Sequence, residues 1–146
     1  MTSLEFSVDL QAPRKRLMEL ATDYESFSNY LPQQLKSVQI IDENEKETIT
    51  LEIIEFSSYL KKSFEQKTIH RKNSDSELES QVISGPAKGT KIIMFFQDND
   101  LGTNVSINVE LKLSLTAKFL LPIIKKWYKR IVLAILYKMN SIIMNE

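Results

Sequence analysis

Val105-Ser106-Ile107-Asn108-Val109-Glu110-Leu111-Lys112-Leu113-Ser114-Leu115 alternates apolar and polar residues without a break and runs straight into a long amphipathic stretch, Thr116 to Met144. Period-two alternation marks a strand with one face on an apolar interior. A helix with a broad apolar arc that follows such a strand covers the same face. When one helix spans a long curved sheet, the gap between them is often wider than side chains fill, and a ligand cavity remains. The fold, and with it the place to look for function, follows from this handover.

Working outward, the rest of the chain supplies the sheet. Leu4, Phe6, Val8 and Leu10 alternate with Glu5, Ser7 and Asp9, and Ala12-Pro13 ends that strand. Pro13 suits the first turn of a helix, where its missing N–H would be unpaired anyway. A short helix through Leu17, Met18, Leu20 and Ala21 follows, then a second carrying Phe27, Tyr30 and Leu31, with Asp23 placed to cap it and Pro32 to close it. Leu35 to Ile41 and Thr48 to Phe56 read as a hairpin around the polar turn Asp42 to Lys46. Ser63 to Lys72 places Phe64, Gln66, Thr68 and His70 on one face and Glu65, Lys67, Ile69 and Arg71 on the other, with neither face clearly apolar. Glu77 to Ser84 is a polar strand, Ile92 to Phe96 is apolar enough to be central, and Asp98 to Gly102 is the last hairpin turn. The reading is a single α+β domain over residues 1–146: a seven-stranded curved antiparallel sheet, two short helices after strand 1, and a long C-terminal helix over the concave face.

In that helix, Leu120, Ile124, Trp127, Ile131, Ile135 and Ile142 recur at helical spacing, flanked by Ile123, Tyr128, Val132, Ala134 and Met139. Lys125, Lys126, Lys129 and Arg130 fall opposite, while Lys138 falls with the stripe and would have to extend outward from it. Pro122 predicts a kink or a fresh helix start.

Composition narrows the function classes. The chain has 146 residues, no cysteine and one histidine. Disulfides, thiolate metal sites, cysteine nucleophiles and His-based metal sites or triads therefore cannot be built from it. No metal or cofactor is expected. Lys and Arg total 19 and so do Asp and Glu, but from residue 116 onward the only acidic residue is Glu146. A basic helix over an acidic body is either a solvated face or a docking surface for an anionic partner, a membrane, RNA or the ribosome, at Lys125, Lys126, Lys129 and Arg130. DNA is not expected as a partner. The first ten residues alternate like a strand rather than forming a signal peptide, and no apolar run approaches the ~20 residues of a membrane span, so the expected location is the cytoplasm.

Several short segments resemble one family over nearly the whole chain. Val8-Asp9-Leu10-Gln11-Ala12-Pro13, Asp23-Tyr24-Glu25 and Tyr30-Leu31-Pro32 match its opening, and Tyr59-Leu60-Lys61-Lys62-Ser63-Phe64 its loop-to-strand entry. Ser84-Gly85-Pro86-Ala87-Lys88-Gly89 and Gly102-Thr103-Asn104-Val105 resemble its hairpins. The chain resembles the START/Bet v 1-like (SRPBCC) superfamily with its helix-grip fold, nearest the coenzyme Q-binding and polyketide cyclase/dehydrase branch. Ala87 stands where the quinone-binding branch usually has Phe, and Met94 near where it often has Trp. These are turn and packing positions, so they speak to fold rather than activity.

The resemblance implies binding or transport of a hydrophobic small molecule, such as a lipid, an isoprenoid quinone or a polyketide-like compound, between sheet and helix. As alternatives to this non-enzymatic reading it admits a polyketide cyclase/dehydratase-type enzyme, and its ribosome-associated members admit an interaction module. The candidate ligand-binding residues are Phe56, Tyr59, Phe64, Gln66, Thr68, Phe96, Trp127, Tyr128, Ile131 and Ile135. Each aromatic among them also fits ordinary core. His70 is the candidate acid or base, against the simpler reading of a surface or hydrogen-bonded strand histidine. Glu52, Glu55 and Glu65 are expected to face water.

Overall fold

The computed structural model describes residues 2–55 and 63–146. Strand β1 (Thr2–Leu10) is followed by α1 (Arg14–Ala21), a single 3₁₀ turn (Tyr24–Ser26) and α2 (Phe27–Tyr30). Six further strands come next: β2 (Leu35–Glu43), β3 (Glu47–Glu55), β4 (Ser63–Lys72), β5 (Glu77–Val82), β6 (Lys91–Asn99) and β7 (Gly102–Leu111). The chain ends in α3 (Leu121–Met144). All seven strands form one antiparallel sheet in the order β1-β7-β6-β5-β4-β3-β2, so the first strand closes against the last. This is the seven-stranded α+β architecture expected from the sequence, with the helix packed on the concave face.

The alternation of β1 and β7 is expressed as inward Val8, Leu10, Val105, Ile107, Val109 and Leu111 and exposed residues between them. β7 ends at Leu111 rather than Leu115, because its partners run out there: Leu111 pairs with Thr2, and Glu110 with Lys91 at the start of β6. Leu115, inward by extrapolated parity, is 84% exposed. The β6–β7 turn is held by Asn99, whose Oδ1 accepts from the N–H groups of Leu101 at 3.0 Å and Gly102 at 2.8 Å. Gly102 is required there: a Cβ would stand 2.4 Å from the Leu10 carbonyl oxygen, at a φ of +153°.

Helix α3 begins at Leu121, so Pro122 sits in its first turn, where its missing N–H leaves no gap. Its buried face runs through Ile124, Tyr128, Ile131, Leu136, Met139 and Ile143. Ile142 and Ile123, both expected on or beside the stripe, are 36% and 54% exposed. From Ile131 to Tyr137 the helix is apolar all round, so spacing alone does not select its inner face. With Leu136 and Met139 inward, Lys138 lies outside the stripe and is exposed.

One end of the sheet–helix interface is closed. Phe96, Leu17 and Ile107 are fully buried there, beside Val8, Leu10 and Met18. The helix is fastened at this end by Asn140, whose Oδ1 accepts the Ala12 N–H at 2.9 Å. The Ala12 carbonyl accepts in turn from the Thr103 hydroxyl at 2.8 Å. The other end, beneath β3 and β4, is not filled.

Candidate functional site

Between β3, β4 and the middle of α3 lies a cavity of about 150 Å³. Helix α3 supplies Trp127, Tyr128, Ile131, Val132, Ile135, Leu136 and Met139, and the segment after β1 supplies Ala21, Tyr24 and Phe27. The sheet supplies apolar Leu35, Val38, Ile54, Val82, Ile92 and Met94, and a polar group formed by Glu52, Gln66, Thr68, His70 and Ser80. A smaller recess of about 40 Å³ shares Ile54, Gln66, Trp127 and Tyr128 with it and adds Phe64, Pro86, Ala87, Leu113 and Ile124.

The strand register builds the polar group. Across the β3–β4 ladder Thr50 pairs with Thr68 and Glu52 with Gln66, and across β4–β5 His70 pairs with Ser80. Thr50 and Thr68 donate from their hydroxyls to the two oxygens of Glu52, each at 3.0 Å. Gln66 Nε2 donates to the Thr68 hydroxyl at 3.5 Å. His70 Nε2 lies 2.9 Å from Thr50 Oγ1, and His70 Nδ1 lies 2.7 Å from Ser80 Oγ. With Thr50's only hydroxyl hydrogen given to an ionised Glu52, His70 donates from Nε2 and accepts the Ser80 hydroxyl at Nδ1. When Glu52 carries a proton, every bond of the chain can reverse. The result is a continuous path Glu52–Thr50–His70–Ser80 along which a proton can be relayed without moving a heavy atom.

Burial sets the electrostatics. Desolvation pushes the Glu52 carboxyl up to about 7 against the hydroxyl and amide bonds that favour its ionised form. The same desolvation lowers His70 to about 4, so the imidazole is neutral at neutral pH although Nε2 is 3.9 Å from Glu52 Oε1. Tyr24 is raised to about 12 by burial and by Glu43, and Tyr128 is raised by burial and by the Glu52 charge. At neutral pH the cavity thus holds a neutral histidine beside a carboxylic acid close to its midpoint.

The structure distributes the sequence-derived candidates as follows. Gln66, Thr68, Trp127, Tyr128, Ile131 and Ile135 line the cavity, and Phe64 lines the adjoining recess. Phe96 lines neither, because it lies in the closed end of the interface with no exposed surface. Phe56 and Tyr59 lie outside the described residues. His70 is a buried, hydrogen-bonded strand residue, and it faces the cavity. Glu52, expected to face water, is instead 8% exposed and central to the site. Of the other two carboxylates, Glu65 is exposed and Glu55 pairs with Lys36 at 3.2 Å.

Sequence reasoning missed Glu52, Tyr24 and Ser80. The signal that was available for Glu52 is its parity with Ile54 and its position two residues from Thr50, mirroring Gln66 and Thr68 on the next strand. Lys125, Lys126, Lys129 and Arg130 are exposed and do not line the cavity, and Lys129 Nζ stands 5.8 Å from the centre of the Phe6 ring. Among the described residues no helix is long and apolar enough to cross a membrane.

No family model matches the chain, and no curated protein matches it. Solved structures do. It is similar to TTHA0849 from Thermus thermophilus with a TM-score of 0.83 at 15% identity, over 99% of this chain and 98% of that one. It is similar to the Zhui aromatase/cyclase from Streptomyces sp. R1128 with a TM-score of 0.81 at 12% identity, over 96% of this chain and 92% of that one. A START superfamily protein from Mycobacterium smegmatis gives a TM-score of 0.78 at 11% identity, over 98% and 97% of the two chains. The fold is the START-like helix-grip fold. At such identities the likeness is one of backbone architecture, and what the cavity of this chain does rests on its own residues.

Proposed function

We propose that this chain binds a small, mostly apolar molecule in the cavity between the sheet and α3, with the polar end of that molecule on Glu52 and Thr68. The observation that carries this reading is the cavity itself: about 150 Å³ left unfilled in an interface whose other end is close-packed. Protein interiors fill such volumes unless something else is to occupy them. Apolar cavities of about 150 Å³ admit ligands the size of an aromatic ring. The START-like fold supports the reading at the level of architecture. A titration with indole followed by amide NMR tests it. Shifts should concentrate at Thr68, Ile131 and Ile135 and spare the closed end around Phe96 and Val105. Shifts scattered over the surface, or none, would remove the basis for a binding cavity.

A second reading, an enzyme of the aromatase/cyclase kind, is favoured by one observation. The Glu52–Thr50–His70–Ser80 chain joins a carboxylic acid and an imidazole inside a mostly apolar cavity, which is the equipment for taking a proton from one substrate position and returning it at another. Its test is turnover of a poly-β-ketone analogue by the wild-type chain, with loss in Glu52→Gln and in His70→Gln. A docking role for Lys125, Lys126, Lys129 and Arg130 on an anionic surface draws on exposure alone and forms no part of either reading.

A further inference from the structure

The polar end of the cavity has a definite charge preference, and that preference narrows the ligand. Glu52 accepts a hydroxyl hydrogen bond on each oxygen, from Thr50 and Thr68, and interacts with the Gln66 amide, whereas a carboxylate offers about four acceptor positions. No lysine or arginine lines the cavity among the described residues, and His70 already has both ring nitrogens engaged by Thr50 and Ser80. A buried carboxylate with donors but no counter-ion is an incomplete arrangement, because burying a charge is costly unless an opposite charge accompanies it. Two aromatic side chains of the same wall, Trp127 and Tyr128, meet edge to face at 5.3 Å between ring centres, and the faces of such rings attract cations.

We propose that the cavity selects ligands carrying a cationic amine head, seated against the free acceptor position of Glu52, and disfavours ligands with a carboxylate or phosphate head. The class is a single ring or short alkyl chain bearing an ammonium group. This rests on the binding reading above and goes beyond it. An ammonium supplies the missing counter-charge and donates to the acceptor position that Thr50, Thr68 and Gln66 leave open on Glu52. An anionic head meets Glu52 with no lysine or arginine to offset it. A neutral alcohol sits between the two, since it can donate to Glu52 without repaying the desolvation of its charge.

Calorimetric titration of the whole chain at pH 8 with phenethylamine, phenethyl alcohol and phenylacetate tests this, the three probes differing only in the head. The amine should bind at least about tenfold more tightly than the alcohol, and the alcohol at least about tenfold more tightly than the carboxylate. In Glu52→Gln the amine should lose its advantage over the alcohol, the two affinities converging to within about twofold. Should that variant not fold, the wild-type pH profile carries the test. The groups facing Glu52 and its network are His70 from β4, Tyr128 from α3 and Tyr24 from the 3₁₀ turn, and none of them changes charge between pH 6 and 8. Amine affinity should therefore rise several-fold over that range as Glu52 ionises, and alcohol affinity should not rise with it. Phenylacetate binding as tightly as the amine, or an amine affinity indifferent to both Glu52 and pH, overturns the charge preference while leaving the cavity reading in place. If neither the alcohol nor the amine binds, both fall.

Discussion

Tyr24 lies flat on His70, with ring centres 4.1 Å apart and ring planes 17° from parallel. The segment after β1 thereby covers one face of the imidazole whose edges are held by Thr50 and Ser80, and that cover is part of the burial that keeps the ring neutral. Tyr24→Ala should readmit water to that face and move the His70 pKa from about 4 up toward the ordinary ~6.5. His70 is the only histidine, so its ring protons titrate as a single assignable signal in the NMR spectrum. An unchanged midpoint in the variant would show that the sheet alone sets the environment of the ring.

Trp127 and Phe96 are both large aromatics on the sheet–helix interface, but one borders open volume and the other does not. Phe96 is fully buried among close-packed neighbours, so Phe96→Ala should destabilise by about 3–5 kcal/mol. Trp127 is half-buried and lines both the cavity and its side recess. Trp127→Ala should cost roughly half as much or less, since fewer packing contacts are lost, and should weaken ligand affinity more than it lowers stability. Urea unfolding of the two variants measures the contrast. Equal costs would mean that the volume beside Trp127 closes in solution.

The difference between these two aromatics was not readable from the sequence, whereas the strands that carry the fold were. β1 and β7 each have one wet face, so their alternation states their orientation, and Val8 and Val105 pair as that orientation requires. β3 inverts the rule, and β4, with no clearly apolar face, does not state it. The cavity face of β3 is Thr48, Thr50, Glu52 and Ile54, while the more apolar Ile49, Leu51 and Ile53 lie half-buried on the outer face. The inward face of β4 carries Gln66, Thr68 and His70. A hydrophobicity pattern places the apolar face inside because it scores one strand at a time. What makes the polar face tolerable inside is cross-strand: Thr50 and Thr68 satisfy Glu52, and Ser80 satisfies His70, pairings that exist only once the register is set. The helix fails to be legible for a different reason, since a stretch apolar all round leaves its inner face to be chosen by the sheet it meets.

Asn140 offers a test of what anchors that helix. Its Oδ1 takes the N–H of Ala12, a residue with no exposed surface, at the point where β1 gives way to α1. Asn140→Leu keeps the size and the apolar contacts but orphans the N–H, so a loss of about 1–3 kcal/mol is expected. Amide exchange at Ala12 should accelerate by more than the global loss of stability explains. Unaltered exchange at Ala12 would mean that the bond contributes nothing to holding α3 on the sheet.

Glu52 and His70 should leave opposite marks on the pH dependence of stability. The folded-state pKa of His70 is lowered, to about 4 from 6.5, so between those values the unfolded chain binds more protons and stability rises with pH. The folded-state pKa of Glu52 is raised, to about 7 from 4.5, so between those values the folded chain binds more protons and stability falls as pH rises. From about 4.5 to 6.5 the two slopes oppose each other and nearly cancel. Below that window the histidine contribution dominates and above it the glutamate contribution does, each on the order of 1–3 kcal/mol over its full range. Glu52→Gln removes one arm of this balance. Its stability, relative to the wild type, should therefore improve steadily from pH 4.5 to 7 and level off above, where the wild type carries the full penalty of an ionised buried carboxylate. Urea midpoints of the two proteins across that range measure the difference directly. A constant difference would mean that Glu52 titrates in the folded chain as it does in the unfolded one, and that water reaches the floor of the cavity.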